Sequence, residues 1–405
     1  MRKETENEIE EIQSEVNEET KFHQKETVSL VVDFDPERRK LAIAYTRTSR
    51  RYGFRLTIAS FIISIGILIS RITVNFKEFL DQNVSTNPLI QIAIFFIVGS
   101  LLISLWELPL SFYLHSRLSR KYGLSKLTNR QWFLRHLKGE LISLGIGFFL
   151  IQGFYWILRT SPDIWWLWAV IALIGFTLIF SALIPIVLLP IFFKFNPLEE
   201  SNPELAAELV EMTKDVGLKN TNAYNWKLGE IATTGNAGLV GFGKTRRVII
   251  ADTMIEQYTT DEIKWILAHE IGHFKRHDLW KGLIIGGLAT FITFFLTHMI
   301  FTPVAAFFGY PQVIGDISSL PVLGLCFWIF SFILNVPSLW YSRRQEQNTD
   351  EFASSVVTDP TVAKSLFIKM ADQNLSDIDP PWWERLFFMS HPSIQERIEN
   401  TTVQS

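Results

Sequence analysis

Long apolar stretches alternate with charged stretches along the chain, and six of the apolar ones are long enough to cross a membrane. A transmembrane helix needs about 20 apolar residues to span about 30 Å of hydrocarbon. This pattern predicts a mainly α-helical, polytopic membrane protein and excludes a fully soluble globule. The six predicted spans are residues 56–76, 88–106, 141–158, 164–193, 282–308 and 317–342.

Two features within the spans predict interruptions. Arg71 is a charge inside the first span, and Pro185 and Pro190 are expected to bend or end the fourth. Before the first span the chain is crowded with Glu, Lys and Arg, so residues 1–35 are predicted to form a disordered polar tail.

Basic residues are concentrated in alternate connections between the spans. Residues 38–55 and 117–138 are rich in Lys and Arg, whereas the loops after spans one, three and five carry one such residue or none. Cytoplasmic loops of membrane proteins carry the excess of Lys and Arg. The alternation therefore predicts six crossings with both termini, and the long segment between spans four and five, on the cytoplasmic side.

The spans divide the rest of the chain into four regions. These are an N-terminal membrane region with four spans (36–193), a cytoplasmic insert (194–281), a two-helix transmembrane hairpin (282–342) and a C-terminal segment (343–405). The predicted elements outside the spans are helices at 203–216 and 361–374, an aromatic stretch at 382–388, and β-like runs at 221–226, 236–242 and 246–251. A further helix is expected to begin at Thr259, which forms a capping-box pattern with Glu262, and to run through His277.

Composition narrows the class of protein. Hydrophobic residues make up 48% of the chain, and the net charge is −3. So small a charge, without basic clusters beside base-stacking aromatic residues, argues against a nucleic-acid partner. The single cysteine, Cys326, excludes an intramolecular disulfide and is predicted to be a small core residue. The expected environment is the lipid bilayer.

The helix predicted from Thr259 contains His269-Glu270-Ile271-Gly272-His273. Histidines four apart on a helix lie on the same side, so both imidazoles can bind one Zn²⁺ ion. A Glu between them can activate a water molecule at that ion. Two exposed helix histidines are the alternative interpretation, but the capped, amphipathic helix favours a catalytic zinc site.

A catalytic zinc site needs a third protein ligand. The candidates are His277, one turn beyond His273, and the carboxylates that follow span six. Glu346 is favoured, because three ligands from one helix would strain tetrahedral geometry. Asp350, one turn after Glu346, is expected to hydrogen-bond a liganding imidazole and fix its tautomer.

Four motifs in order resemble the type I CAAX prenyl protease family of membrane zinc endopeptidases, and the resemblance runs from about residue 36 to 400. The motifs are Asn236-Ala237 followed by Gly-Phe-Gly-Lys-Thr-Arg-Arg-Val-Ile at 241–249, the His-Glu-Ile-Gly-His segment, Glu346-x-x-x-Asp350-x-Phe352, and Ser390-His391-Pro392 with Arg397. The resemblance implies a gluzincin-like zinc peptidase domain, containing a small β-sheet, on the cytoplasmic side of about six spans.

The resemblance also implies a role for each matching residue. The family's three zinc ligands and its general base are matched by His269, His273, Glu346 and Glu270. His391 matches a residue that stabilises the oxyanion, and Arg397 matches its structural or substrate-anchoring partner. Taken alone, His391 is more typical of a polar cap before a short helix.

Asn236 and Ala237 are the candidate substrate-binding residues. They fall on a predicted strand whose edge can pair with an extended peptide. An Asn-Ala-Gly run taken alone is more typical of a turn. The expected substrate is a peptide or protein, prenylated or membrane-associated if the resemblance extends to specificity. Glu107 and His298, near the ends of spans two and five, are candidates to line an intramembrane cavity or to lie at the membrane interface.

Some features depart from the family pattern. Eukaryotic members carry a further N-terminal span, Thr349 stands where the family usually has Ala, and residues 401–405 show no lysine-based retrieval signal. A bacterial-type member in the plasma membrane is therefore expected, or one in the endoplasmic reticulum membrane if the source is eukaryotic. The alternatives to a CAAX-type protease are an HtpX-like quality-control protease and a catalytically inactive membrane scaffold.

Overall fold

In the computed structural model, six helices among the described residues are long and apolar enough to cross a membrane, as the hydrophobic pattern predicts. The structure describes residues 34–218, 221–241 and 243–403, so the predicted tail at 1–35 lies almost wholly outside the described residues. The candidate spans are Pro36–Ser70, Pro88–Lys121, Asn129–Thr160, Trp165–Phe192, Asp278–Phe308 and Ile317–Val356.

Helices dominate the described residues. The longer ones are α1 (Pro36–Ser70), α2 (Ile72–Asn83), α3 (Pro88–Phe112), α4 (Asn129–Thr160), α5 (Trp165–Leu183), α6 (Pro203–Asp215), α7 (Thr260–Lys275), α8 (Asp278–Phe308), α9 (Leu320–Val356), α10 (Pro360–Asn374), α11 (Trp382–Phe387) and α12 (Ile394–Val403). The helices predicted at 203–216 and 361–374 correspond to α6 and α10, and the aromatic stretch contains α11.

The first span ends earlier than the sequence predicts. Arg71 adopts a left-handed backbone conformation with φ 54°, so α1 stops at Ser70 and α2 starts separately at Ile72. The Tyr310 hydroxyl donates to the Leu68 carbonyl oxygen at 3.0 Å, one of the acceptors that a helix end leaves without a partner. The predicted continuation of the span to residue 76 is therefore wrong.

The fourth span continues through its two prolines. After α5 the chain forms a π-helical turn, Ile184–Leu188, and a last α-helical turn, Leu189–Phe192. A proline lacks the N–H that the interior of an α-helix uses, so wider or restarted turns are expected at Pro185 and Pro190. Neither proline ends the span, and the interruption predicted at them takes the form of a change of helix type.

The segment between the fourth and fifth spans contains a four-stranded sheet in the order β1-β2-β4-β3. β2 and β4 are parallel, and the other two pairs are antiparallel. The strands are β1 (Phe195–Pro197), β2 (Asn222–Trp226), β3 (Ala237–Val240) and β4 (Arg247–Ala251). The three predicted strands are confirmed, whereas β1 is too short to show an alternating pattern. β3 lies at an edge of the sheet, where β4 is its one partner strand among the described residues.

One apolar core holds the sheet, α7 and α10 together. Trp265 and Ile271 of α7 and Phe367 of α10 are almost fully buried and belong to the same cluster as Ile250 of β4. The Trp265 and Phe367 rings meet edge to face, with centroids 5.1 Å apart. Close packing of this kind resists displacement, so the core fixes the helix that carries His269 and His273.

A second core lies among the spans. Trp165 of α5, Tyr155 of α4 and Phe301 of α8 are almost fully buried there, together with Cys326 of α9. The predicted burial of the cysteine is confirmed. This core ties the spans together away from the sheet.

Both ends of α7 are well defined. Thr259 and Glu262 form the predicted capping box, because each side chain accepts from the backbone N–H of the other at 3.2 and 2.8 Å. α7 ends at Lys275 rather than running through His277, which has a left-handed conformation with φ 57°. α8 then begins at Asp278, so the chain turns sharply between the two helices.

Span six and the segment that follows it share one helix. α9 runs for 37 residues from Leu320 to Val356. The sequence predicts a span that ends at residue 342, and the structure extends the same helix past Glu346 and Asp350. Both carboxylates are therefore held by the helix that crosses the membrane.

Candidate metal centre and active site

His269 and His273 of α7 and Glu346 of α9 bring three potential metal ligands together. The two Nε2 atoms lie 3.2 Å apart. Each lies 3.3 Å from a different oxygen of the Glu346 carboxylate. Among the described residues these three form the group that could hold a metal ion, and His277 does not belong to it.

The spacing of these atoms fits a tetrahedral metal ion. Zinc binds imidazole nitrogen and carboxylate oxygen at about 2.0–2.1 Å, which places tetrahedral ligand atoms about 3.3–3.4 Å apart. Glu346 is buried, and its Oε2 accepts no hydrogen bond within the described structure. A buried carboxylate oxygen without a partner is costly, so the donor set fits a cation bound between the three side chains.

A buried ion pair orients His269. Its Nδ1 lies 2.8 Å from Asp350 Oδ1. Arg397 donates to both Asp350 oxygens, from Nε at 2.8 Å and from Nη2 at 2.6 Å. With its proton on Nδ1, next to the Asp350 carboxylate, the ring keeps Nε2 free to act as a ligand. Burial disfavours the imidazolium, but the neighbouring carboxylates of Asp350 and Glu346 outweigh burial and raise the pKa of His269 to about 9.

Arg397 is mostly enclosed, with its side chain 13% exposed. Its bidentate contact with Asp350 uses the guanidinium inside the protein. Of the two roles that the resemblance implies for this residue, the geometry favours the structural one over substrate anchoring.

A second carboxylate, Asp278, orients His273. Its Oδ2 lies 3.0 Å from His273 Nδ1, and its side chain is 6% exposed. Lys281 lies 3.4 Å from the other Asp278 oxygen. The turn at His277 brings the first residue of α8 back against α7. The contact of Asp278 is not predictable from the sequence, because an acidic residue at the start of a predicted span carries no signal of a contact with His273.

Gly272 allows α7 and α9 to approach each other at the site. A Cβ at this position would lie 2.8 Å from Thr349 Cγ2 and 3.0 Å from Phe352 Cδ1. Thr349 is fully buried, and its hydroxyl donates to the Gln345 carbonyl oxygen at 2.7 Å. The threonine that departs from the family pattern therefore fits the interface between the two helices.

Glu270 points towards the edge strand. The Leu239 N–H of β3 lies 3.4 Å from Glu270 Oε2. Ala237 is the first residue of β3, and the Asn236 carbonyl oxygen accepts from Ala251 N at 2.9 Å. The strand interpretation is thus confirmed for Ala237 and Gly238, whereas Asn236 lies just before the strand. The edge of β3 that faces away from β4 lies beside the carboxylate of Glu270, the predicted general base.

His391 reaches the metal-ligating group from the C-terminal segment. Its Nε2 lies 3.4 Å from Glu346 Oε1, and its Nδ1 lies 2.8 Å from the Ser390 hydroxyl. Its side chain is 58% exposed, so it lines the open side of the site. Glu107 and His298 lie on the second and fifth spans and are not part of the metal-ligating group found among the described residues.

Two known protein families together match almost the whole chain. Residues 199–403 match peptidase family M48. Residues 21–194 match the CAAX prenyl protease N-terminal family, described as five membrane helices. The described part of that range contains four candidate spans.

Curated relatives that the chain resembles are named as proteases. A metalloprotease of Bacillus subtilis, YhfN, itself uncharacterized, is 27% identical over 341 residues, which cover 82% of this chain and 78% of the relative. CAAX prenyl protease 1 of Saccharomyces cerevisiae is 26% identical over 322 residues, which cover 74% of this chain and 69% of the relative.

The crystal structure of S. mikatae Ste24p has the same fold. It superimposes with a TM-score of 0.82 at 22% identity and covers 94% of this chain and 92% of that one. The predicted fold class, a mainly helical membrane protein with a small sheet, is confirmed.

The family matches distinguish between a metalloprotease and an inactive membrane scaffold, the two classes of protein that the sequence left open. A metallopeptidase family implies a metal ion, and the His269, His273 and Glu346 group can hold one. An inactive scaffold is therefore set aside, and the protein acts as a hydrolase on peptide or protein substrates. Since its spans embed it in a lipid bilayer as a multi-pass membrane protein, and its C-terminal half matches throughout, the chain belongs to peptidase family M48.

Proposed function

We propose that the protein is a zinc endopeptidase that cuts membrane-associated peptides on the cytoplasmic side of the membrane. The observation that carries the proposal is the grouping of two imidazole nitrogens and one carboxylate at 3.2–3.3 Å from one another. Nitrogen and carboxylate ligands of this kind suit zinc. The proposed ligands are His269, His273 and Glu346.

The residues around the ligands supply the proton transfers and the charge stabilisation. A zinc ion, when bound, supplies Lewis acidity to a water molecule and to the scissile carbonyl. Glu270 accepts the proton of the water and returns it to the leaving amine. His391, on the open side of the site, donates a hydrogen bond to the oxygen that becomes negative during attack.

The edge of β3 is the proposed docking site for the substrate backbone. An extended peptide can add to an unpaired strand edge through main-chain hydrogen bonds. Ala237 and Gly238 lie on that strand, and the Glu270 carboxylate reaches its Leu239 N–H. A peptide paired there would place a carbonyl close to the base. Asn236 and Ala237 are thus proposed to bind substrate.

The proposed side of the membrane follows from which loops touch the catalytic region. The Lys126 side chain, in the basic loop between spans two and three, donates to the Gly229 carbonyl oxygen at 2.7 Å, and the Lys126 N–H donates to that of Ile231 at 2.8 Å. The basic loop and the catalytic region therefore share one side. Since Lys and Arg are enriched in cytoplasmic loops, that side is proposed to be the cytoplasm. The plasma membrane of a bacterium remains the predicted location.

The side of the membrane can be tested with two single cysteines in a Cys326→Ser background. Lys214→Cys lies on α6 near the sheet, and Asp163→Cys lies in the loop between spans three and four, at the opposite end. A membrane-impermeant maleimide should label Asp163→Cys in intact cells and Lys214→Cys only after lysis. The reverse pattern would place the site outside the cytoplasm.

Metal analysis and peptide cleavage test the enzyme itself. The purified protein should contain one zinc per chain and cut a quenched peptide, and a chelator should abolish cleavage until zinc is restored. Glu346→Gln should lose both the zinc and the cleavage. A full equivalent of zinc in that variant would remove Glu346 from the ligand set and return His277 to consideration.

The proposed substrates are prenylated or otherwise membrane-anchored peptides, as the name of the CAAX prenyl protease relatives suggests. Cleavage of two matched peptides, one with a prenylated cysteine and one with a free cysteine, tests this. A higher kcat/KM for the prenylated peptide supports the proposal. Equal values would leave a zinc endopeptidase with general specificity.

A further inference from the structure

Residues 382–388, called here the aromatic segment, take no part in the metal site. They comprise α11 and its C-terminal cap, Phe388. Trp382 and Phe388 are each 67% exposed. A helix this short is not stable alone in water, so its surroundings must hold it in place.

The aromatic segment lies beside the apolar part of span six. The rings of Phe387 and Phe332 stack with centroids 5.6 Å apart. Asn335 donates from Nδ2 to the Phe387 carbonyl oxygen at 3.3 Å. Phe332 and Asn335 precede Arg343, the first charge after the apolar run, by eleven and eight residues. At 1.5 Å per residue, these contacts lie about 12–17 Å along α9 from Arg343, on the side of the apolar run.

The carbonyl groups at the end of α11 are satisfied by side chains of α9. Arg343 donates from Nη1 to the carbonyl oxygens of Arg385 and Met389, each at 2.7 Å, and Asn335 serves Phe387. In water such carbonyls are hydrated, but in an apolar phase they need donors from the protein. The arrangement is the one that a helix end needs where water is scarce.

The polar side of the aromatic segment faces the start of span one. Glu384 lies 2.5 Å from Arg50 Nε on α1. The Arg50 guanidinium lies 5.9 Å from the centre of the Trp383 ring. Arg50 precedes the apolar run that begins at residue 56. Tryptophan and arginine side chains are typical of the layer where hydrocarbon meets lipid headgroups.

We propose that the aromatic segment is a membrane anchor, inserted at the boundary between headgroups and acyl chains beside spans one and six. Lipid is the proposed partner of the aromatic segment, because the segment continues an exposed apolar face of α9. This face includes Phe332 at 44% and Trp340 at 63% exposure. The inference uses the membrane architecture and does not depend on the proposed function.

The anchor has a consequence for the metal site. His391 follows Phe388 by three residues, and its Nε2 lies 3.4 Å from Glu346. Lipid contact at the aromatic segment therefore fixes the depth of the His391 loop and favours substrates held at the membrane surface.

Spin labels in the full-length protein test the position of the segment. Trp382→Cys, Phe388→Cys and the control Lys214→Cys are made in a Cys326→Ser background, labelled and reconstituted in lipid nanodiscs. Labels at 382 and 388 should be relaxed by oxygen and protected from a water-soluble nickel chelate, whereas the label at 214 should show the opposite. Labels at 382 and 388 as accessible to the chelate as that at 214 would overturn the proposal, whether they face water or lie in a hydrated chamber.

A charge at the tip of the segment gives a second test. Trp382→Glu should bind metal and cut a soluble peptide in detergent as the wild type does, but should cut a lipid-anchored peptide in vesicles several-fold more slowly. Trp382→Tyr, which keeps an interfacial aromatic ring, should match the wild type in both assays. Equal rates of cleavage by Trp382→Glu and wild type in vesicles would count against the anchor. If the wild type does not cut the soluble peptide at all, that result would count against the proposed function instead.

Discussion

Gly272 and Thr349 face each other so closely that a Cβ added to the glycine would lie 2.8 Å from the Thr349 methyl group. Gly272 lies between Glu270 and His273 on α7, and Thr349 lies between Glu346 and Asp350 on α9. The separation of the two helices at this point therefore sets the distance between the two proposed histidine ligands and the proposed glutamate ligand.

Gly272→Ala should force α7 and α9 apart. Both neighbouring side chains pack tightly, and Phe352 Cδ1 would also lie 3.0 Å from the new Cβ. Overpacking of this kind destabilises proteins by roughly 1–3 kcal/mol, and we expect a lower melting temperature together with weaker metal binding. Gly286→Ala on α8, where nothing lies within 4 Å of an added Cβ, is the matched control. A Gly272→Ala protein with unchanged melting temperature and metal affinity would show that the helices can adjust.

Glu270→Gln should keep the metal and lose the activity. Glu270 is not among the three grouped ligands, but it is the proposed proton acceptor. Loss of a general base lowers rates by about 10²–10⁴-fold, so kcat for a quenched peptide should fall by that order while zinc content stays at one per chain. Cleavage at the wild-type rate by the purified variant would assign the base to another residue.

Asp278→Asn should weaken metal binding. The Asp278 carboxylate lies 3.0 Å from His273 Nδ1 and holds the ring with Nε2 towards the site. Removal of such supporting carboxylates typically costs about 10–100-fold in metal affinity, which competition with a chelator measures. Asp261→Asn, an exposed acid on the same helix as His273, is the control and should bind metal normally. If Asp278→Asn binds metal as tightly as Asp261→Asn and the wild type do, Asp278 has no positioning role.

Glu262→Gln should destabilise the protein more at neutral pH than at acid pH. The Glu262 side chain is 2% exposed, and it accepts from Lys369 at 2.8 Å and from Ser365 at 2.7 Å. Burial raises the pKa of the carboxyl, but the hydrogen bonds from Lys369, Ser365 and Thr259 outweigh burial and hold that pKa below its ordinary value. A carboxyl with a lowered pKa stabilises the folded state above the pKa of the unfolded chain, and this stability is lost as pH falls through the folded pKa.

Melting temperatures of wild type and Glu262→Gln should therefore differ clearly at pH 7 and converge towards pH 4 and below. Glu211→Gln serves as the control, because Glu211 forms an exposed pair with Lys214 and such pairs contribute little. A difference between Glu262→Gln and wild type that is independent of pH would mean that shape, rather than charge, matters at this position.

Much of the fold can be predicted from the sequence, because its signals are local. An apolar run of about 20 residues identifies a span without knowledge of its neighbours, and the capping box at Thr259 identifies the start of α7. The grouping of His269, His273 and Glu346 also follows from short spacings combined with the hairpin of the last two spans.

The features that the sequence does not reveal depend on single backbone conformations or on contacts between distant segments. The left-handed turns at Arg71 and His277 end helices at residues other than glycine, where positive φ is uncommon. Asp278 approaches His273 only because of the second of these turns. The stacking of the Phe387 ring on the Phe332 ring joins segments 55 residues apart, and no periodic pattern predicts such a contact.

Because α9 is continuous, the packing of its transmembrane half sets the direction in which Glu346 and Asp350 point around the helix axis. Each residue of an α-helix advances the direction of its side chain by about 100°. Glu346 and Asp350 therefore point towards α7 only while the apolar half of the same helix keeps its rotational setting among the other spans. Insertion of one residue between the two halves would turn both carboxylates away from the histidines without changing either chemical group. The packing of span six within the bilayer thus determines whether Glu346, the third proposed ligand, faces the two histidines.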